Sequence, residues 1–142
     1  MLRMHRIALR PLLALLGVYH LLLGGAMVVA PRTFFDDVAT YGAFNDHYIR
    51  DVATFYLALG AVMLVAVAKT SWQTPLLAFA TLQYALHVLN HLWDIGDTDP
   101  GWLGPANAAS LALIGTVLFW LLRGGRGRER VRPAPDGEVS PP

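Results

Sequence analysis

The sequence predicts an all-α integral membrane protein, a four-helix bundle with both termini in the cytoplasm. Of its 142 residues 55% are hydrophobic and only 15% are charged, whereas soluble domains carry about 25% charged residues. Four apolar windows, at residues 11–30, 47–68, 75–95 and 105–122, stand out along the chain. A bilayer core of about 30 Å requires roughly 17 to 25 helical residues, so each window predicts one transmembrane helix.

Local signals support the start of two of these helices. Asn45 and Asp46 can cap the second helix, and Thr74 before Pro75 resembles an N-cap followed by proline at the first helical position. The connections between the windows are short, which favours antiparallel packing of consecutive helices.

The distribution of charge sets the orientation. Nine Lys and Arg residues lie on one side of the four-span arrangement and two, Arg32 and Arg50, on the other. Cytoplasmic loops carry the excess of positive charge, so both termini are expected in the cytoplasm of a cell-membrane protein. Seven aspartates lie on the opposite, outer side: Asp36, Asp37, Asp46, Asp51, Asp94, Asp97 and Asp99.

The two ends of the chain have other possible interpretations. A cleavable signal peptide is the alternative for residues 1–30, but the apolar run is longer than the usual 7 to 15 residues, and Pro31 would follow the cleavage site directly.

Residues 123–142 are rich in Gly, Pro and charge. With almost nothing to bury, they are predicted to form a disordered basic cytoplasmic tail.

The first outer connection is too apolar for a simple loop. Phe34, Val38 and Tyr41 recur at i, i+4 and i+7, which predicts a short helix that lies at the membrane interface or caps the bundle. An aromatic belt that anchors this segment is favoured over a lid on a ligand site.

The third window carries the most informative pattern. His87, Asn90, His91 and Asp94 lie at i, i+3, i+4 and i+7 of YALHVLNHLWDI, which is one face of a helix. Polar groups on the first two helices are expected at similar depths. Ionisable groups in a spanning helix are costly unless paired or hydrated, so these faces are predicted to converge on a polar funnel that opens outward. Its predicted ligand-binding residues are His20, Arg50, Asp51, Asn90 and Asp94.

Some of these residues have simpler interpretations. A cationic His91 would be favoured near a helix C-terminus, and His20 could be a neutral core histidine bonded to a carbonyl. Arg50 and Asp51 more often form a structural ion pair. Asp94 is harder to explain in this way, because a carboxylate at a helix C-terminus is disfavoured and requires a cation, either Arg50 or a metal.

The pair His87 and His91 predicts a divalent metal site, since imidazoles at i and i+4 can point at one ion. The chain has no cysteine, which excludes thiolate and iron–sulfur chemistry. It also lacks the Glu of a zinc-protease motif and the buried Glu residues of a di-iron centre. A location in the membrane excludes nucleic acid as a partner.

The segment FNDHYIRDVATFYLALGAVMLVAV resembles the second helix of small DoxX-like bacterial membrane proteins. The likeness rests on Asn45, Arg50 and the Leu59-Gly60 step, together with the four-span layout, Pro31 and the basic tail. It covers most of residues 7–122 and implies a four-helix bundle in a bacterial inner membrane. The H-x-x-N-H-x-x-D run has no place in the family pattern.

Three functions remain open from the sequence. The first is an accessory or binding protein whose outward-facing pocket holds a divalent metal or a small ligand. The second is an oxidoreductase component or an isomerase that acts on a lipophilic substrate such as a quinone, with a histidine as general acid or base. The third is a purely structural bundle. The lipid bilayer is a partner in each case, and both a homo-oligomer and a larger membrane complex remain open.

Overall fold

The computed structural model describes residues 2–129 of the chain, with side chains from residue 8 to residue 124. Five α-helices follow one another: α1 (Leu2–Val29), α2 (Pro31–Val38), α3 (Asp46–Ala68), α4 (Gln73–Trp93) and α5 (Leu103–Glu129). A single 3-10 turn, Thr70–Trp72, joins α3 to α4. Within residues 2–129 all regular structure is helical, so the all-α prediction is confirmed.

The helix ends differ from the predicted spans where polar sequence continues a helix. At the C-terminus α5 runs to Glu129, so the part of the predicted tail from 123 to 129 is helical. Basic side chains are favoured at a helix C-terminus, and this preference offsets part of the low helix propensity of the three glycines in the segment. The rest of the predicted tail, residues 130–142, lies outside the described residues.

The capping predictions have opposite outcomes. Asn45 caps α3, because its side-chain oxygen accepts a hydrogen bond from the backbone N–H of Tyr48 at 3.1 Å. The predicted cap at Thr74 is wrong, since α4 already begins at Gln73 and Thr74 lies in its first turn. Pro75 is then the third helical residue, where a backbone N–H would have no partner within the helix.

In the part of the chain that the structure describes, three helices are long and apolar enough to cross a membrane: Ala8–Val29, Asp46–Ala68 and Leu103–Gly124. The 21-residue α4 is not among these candidates. Large apolar side chains on the outside of the bundle include Leu22, Leu82, Leu89 and Leu113, each more than half exposed. Such surfaces are compatible with contact to lipid in a multi-pass membrane protein.

The helices pack as two pairs, α1 with α3 and α4 with α5. Glycines bring α1 and α3 close together. A Cβ atom added to Gly60 would lie 2.8 Å from the carbonyl oxygen of Gly17, and one added to Gly24 would lie 3.0 Å from the carbonyl oxygen of Ala53. Small residues at a helix interface allow this approach and are typical of helix pairs in membranes.

The main hydrophobic core lies at one end of the bundle and joins both pairs. Leu13, Met63, Leu77 and Leu118, one from each long helix, are fully buried there. A smaller cluster around Met27, on α1 and α3, lies toward the opposite end. We call this opposite end, where α2 and the connection 94–102 are found, the outer end. The two helix pairs enclose a cavity there.

Candidate functional site

The cavity at the outer end has a volume of about 420 Å³ and two chemically different walls. The wall formed by α1, α2 and α3 is mainly apolar and includes Leu23, Met27, Phe34, Phe35 and Val52. The wall formed by α4 and α5 is polar and includes His87, Asn90, His91, Asp94, Asn107 and Ser110. The combination suits a ligand that has both an apolar body and a polar group.

A chain of hydrogen bonds crosses the polar wall. The Tyr41 hydroxyl lies 2.8 Å from Nδ1 of His91, and Nε2 of His91 lies 3.1 Å from Nε2 of His87. Nδ1 of His87 is buried and has no hydrogen-bond partner among the described residues. Because each neutral imidazole has one donor and one acceptor nitrogen, the proton positions along this chain are coupled. Whichever direction the bonds take, the last nitrogen of His87 needs a partner that the described part of the chain does not supply.

The segment 38–45, from the last residue of α2 to the start of α3, closes the outer end of the cavity. It joins α2 to α3 in sequence, but side-chain hydrogen bonds link it to α4, α5 and the connection between them. The side-chain amide of Asn107 on α5 donates to the carbonyl of Val38 at 2.7 Å, and the backbone N–H of Asp99 donates to the Thr40 hydroxyl at 3.2 Å. Tyr41 adds the bond to His91. The sequence favoured a role for this segment as a membrane anchor, but the segment also contributes side chains to the cavity.

The four polar residues predicted on one face of the third span all line this cavity: His87, Asn90, His91 and Asp94. Asp94 is the C-cap of α4, and its backbone carbonyl accepts a hydrogen bond from the N–H of Asp97. Its carboxylate takes part in none of the ion pairs found within residues 8–124. The predicted partner, Arg50, instead pairs with Asp46 one turn away, at 2.9 Å.

His20 lies outside the cavity lining, in the buried interior. Its Nδ1 lies 2.6 Å from the carbonyl oxygen of Leu16, and its Nε2 lies 2.7 Å from the Tyr84 hydroxyl. The carbonyl can only accept, so Nδ1 carries the hydrogen and both ring nitrogens are satisfied. The interpretation of His20 as a core histidine bonded to a carbonyl matches this arrangement. The ring also stacks on Tyr56, which does line the cavity.

Arg50 and Asp51 are exposed, and neither lines the cavity. Each forms a local pair across one helical turn: Arg50 with Asp46, and Asp51 with His47 at 3.4 Å. The structure thus brings the predicted residues of α4 together and leaves those of α3 on the surface. A face of α3 that carries Ile49, Val52 and Tyr56 turns to the cavity instead.

The second arginine of the outer end, Arg32, is also paired. Its guanidinium donates a hydrogen bond to the carboxylate of Asp36 at 2.9 Å. This bond and the attraction between the two charges raise the pKa of Arg32 above its ordinary value. Arg32 lies outside the cavity lining and remains paired on the surface.

A metal would have few ligands here. The two Nε2 atoms of His87 and His91 are close enough to share one ion, with 3.1 Å between them. In the part of the chain that the structure describes, however, no group of three or more His, Asp or Glu side chains could hold a metal ion. An ion on the histidine pair would have to complete its coordination with water or a bound ligand.

The sequence reasoning missed Asn107 and Ser110 as cavity residues. They lie at i and i+3 on α5, with Leu111 next to Ser110 on the same face. Two polar residues three positions apart near the start of an apolar span form the sequence pattern from which a cavity-facing position could have been predicted.

Comparisons with known proteins identify no relatives of this chain. No family model, no curated protein and no solved structure matches it.

Proposed function

We propose that this chain is a multi-pass membrane protein that binds a small amphiphilic molecule in the cavity at its outer end. The observation that carries the proposal is the pairing of an apolar aromatic wall with a polar wall around a single space of about 420 Å³. Ligand sites are typically concave, mostly apolar spaces of roughly 300 to 1,000 Å³ with a few fixed polar groups.

The hydrogen-bond chain supplies a reason for the protein to need a ligand. A buried imidazole nitrogen without a partner costs about 1 to 3 kcal/mol, and a ligand hydroxyl or a water molecule could remove this cost at His87. His91 and Tyr41 hold the His87 ring in place from the other side. The polar wall is therefore organised before the ligand arrives, which reduces the entropy lost on binding.

The four-span bundle with both termini in the cytoplasm forms part of the proposal. The helix α4 packs along α5, and the polar residues that lower its mean hydropathy line the cavity. Polar groups that face an internal cavity are tolerated in a spanning helix. Reporter fusions after residues 100 and 130 test the arrangement: the first should report an outside location and the second an inside location. Matching signals from the two fusions would rule it out.

Ligand binding is tested by filling the cavity. The probe is 4-phenyl-1-butanol, a neutral molecule with an apolar ring and one hydroxyl, titrated calorimetrically into protein in lipid nanodiscs. Leu23→Trp places a large ring on the cavity wall and should abolish saturable heat. The matched control is Leu22→Trp on the neighbouring position, which is 69% exposed on the outside of the bundle and should bind like the wild type. Equal binding by both variants, or no saturable binding by the wild type, would refute the proposal.

A divalent metal on His87 and His91 is the second candidate, supported by the separation of their Nε2 atoms. Replacement of both histidines by Ala should then abolish metal retention while the protein still inserts into the membrane. Metal analysis of purified protein and melting temperatures with added zinc, nickel or manganese provide the readout. If the purified protein carries no stoichiometric metal and its melting temperature is unchanged by all three ions, this candidate is wrong.

The other predictions from the sequence stay predictions. They include membership of the DoxX-like family, an oxidoreductase or isomerase activity on a lipophilic substrate, a purely structural role, and assembly into a homo-oligomer or a larger complex. Mass spectrometry of extracts from the purified protein would favour the enzymatic alternative if a quinone or an isoprenoid were found.

A further inference from the structure

We propose that the ligand of the outer cavity is a lipophilic cation, that is, an amphiphilic amine or quaternary ammonium compound. The inference rests on the proposed function, because it names the class of molecule that the same cavity would select. It depends on the charge of the cavity lining, the helix end that Asp94 occupies and the aromatic rings of the opposite wall.

Among the described residues, the cavity lining carries one carboxylate and no permanent positive charge. Asp94 is the only Asp or Glu of this described lining, and none of its residues is Lys or Arg. The two arginines found in ion pairs within residues 8–124, Arg32 and Arg50, are engaged elsewhere by Asp36 and Asp46. A cationic ligand would therefore meet one unpaired carboxylate at the polar wall, while an anionic ligand would meet a like charge.

The position of Asp94 at a helix end strengthens the preference for a cationic ligand. Asp94 is the C-cap of α4, where the carbonyl groups of the last turn place a partial negative charge. A carboxylate at this end of a helix is destabilised unless a cation is near. Within the described residues no protein cation pairs with it, so a bound cation would satisfy both the carboxylate and the helix end.

His91 is an ionisable group close enough to Asp94 to interact with it electrostatically, and a single protonated imidazole would be sufficient to pair with this carboxylate. A bound cation is therefore preferred most strongly where the histidines are neutral. At pH 8, above the ordinary histidine pKa of about 6.5, both imidazoles are expected to be neutral. The lining then carries only the charge of Asp94.

Aromatic rings surround the remaining space. Six of them belong to the lining: Tyr19, Phe34, Phe35, Tyr41, Tyr48 and Tyr56. Aromatic faces attract alkylated ammonium groups through the ring quadrupole, and sites for quaternary ammonium ligands are commonly built as aromatic cages. The same rings would contact the apolar body of an amphiphile, so the cavity has partners for both parts of a lipophilic cation.

The test compares three probes of similar shape that differ in charge. They are 4-phenylbutyltrimethylammonium, 4-phenyl-1-butanol and 4-phenylbutyrate, titrated at pH 8 into protein in phosphatidylcholine nanodiscs, with empty nanodiscs as the background. The cation should bind about tenfold more tightly than the alcohol, and the carboxylate should bind most weakly.

Substitutions of Asp94 measure how much its carboxylate contributes to the affinity for the cation. Asp94→Asn should weaken binding of the cation about tenfold and leave binding of the alcohol unchanged. Asp94→Glu keeps the charge and should retain the preference for the cation. The matched control is Asp97→Asn, an exposed aspartate outside the cavity lining, which should alter neither affinity. Melting temperatures identify any variant that fails to fold. If Asp94→Asn fails to fold, the order of the affinities of the three probes for the wild-type protein decides whether the cavity prefers a cation.

The outcomes separate the two proposals. If the alcohol binds in a manner sensitive to Leu23→Trp but the cation binds no more tightly, the cation inference is wrong and the proposed function stands. The same conclusion follows if Asp94→Asn leaves the affinity for the cation unchanged. If the alcohol shows no saturable binding to the wild-type protein, the proposed function is wrong, and the cation inference, which rests on it, is wrong as well.

Discussion

The replacement Gly60→Ala tests the close contact between α1 and α3. A Cβ atom at this position would lie 2.8 Å from the carbonyl oxygen of Gly17, and 2.9 Å from both the backbone nitrogen and the Cγ atom of Leu21. Two of these three atoms belong to the backbone of α1 and cannot rotate away. The helices must separate by roughly 0.6 Å at this point before the new methyl group reaches ordinary van der Waals distance.

Two opposing contributions determine the size of the effect. Overpacking of a close interface typically costs about 1 to 3 kcal/mol. The higher helix propensity of Ala offsets about 1 kcal/mol of this cost. We therefore expect Gly60→Ala to lower the free energy of unfolding by up to about 2 kcal/mol, and to be about 1 to 3 kcal/mol less stable than a Gly→Ala variant whose new methyl group meets no neighbour.

The assay is reversible unfolding of the purified protein in mixed micelles, followed by circular dichroism. The control is Gly25→Ala on α1, where an added Cβ would meet no atom within 4 Å. That variant should be as stable as the wild type, or up to about 1 kcal/mol more stable. Equal stability of Gly60→Ala and Gly25→Ala would show that the two helices are not packed as described.

Two further predictions concern the buried His20 and the segment that covers the cavity. Tyr84→Phe leaves Nε2 of the fully buried His20 without its partner and should cost about 1 to 3 kcal/mol of unfolding free energy. The control Tyr48→Phe, at a side chain that is 66% exposed, should stay within about 0.5 kcal/mol of the wild type. Asn107→Ala removes the hydrogen bond to the Val38 carbonyl and should speed amide hydrogen exchange in residues 31–45 while exchange in the core of α3 is unchanged. Uniform acceleration, or none, would contradict the bonding of this segment to α5.

Most of the helices, and the polar face of one of them, could be predicted from the sequence. Apolar runs separated by short polar connections determine where the long helices lie. The grouping of His87, Asn90, His91 and Asp94 depends only on the geometry of one helix, so it required no knowledge of packing.

Contacts between helices could not be obtained in the same way. Whether His20 faces a cavity or the core depends on the rotation of α1 against its neighbours, and its bond to Tyr84 joins residues far apart in the sequence. Arg50 pairs with Asp46 because a partner one turn away is already close, whereas a bond to Asp94 would have to join two helices. The connection between α2 and α3 escaped prediction because its hydrogen bonds reach across to α4 and α5.

The most direct test of the central claim is ¹⁵N NMR of the histidine rings during titration with 4-phenyl-1-butanol in nanodiscs. The variants His20→Asn, His87→Asn and His91→Asn assign the signals. Binding in the outer cavity predicts that the ring nitrogens of His87 and His91 shift with saturation while those of His20, which already have partners, remain unchanged. Saturable binding without a shift at His87 or His91, or an equal shift at His20, would contradict a ligand site on the polar wall of the cavity.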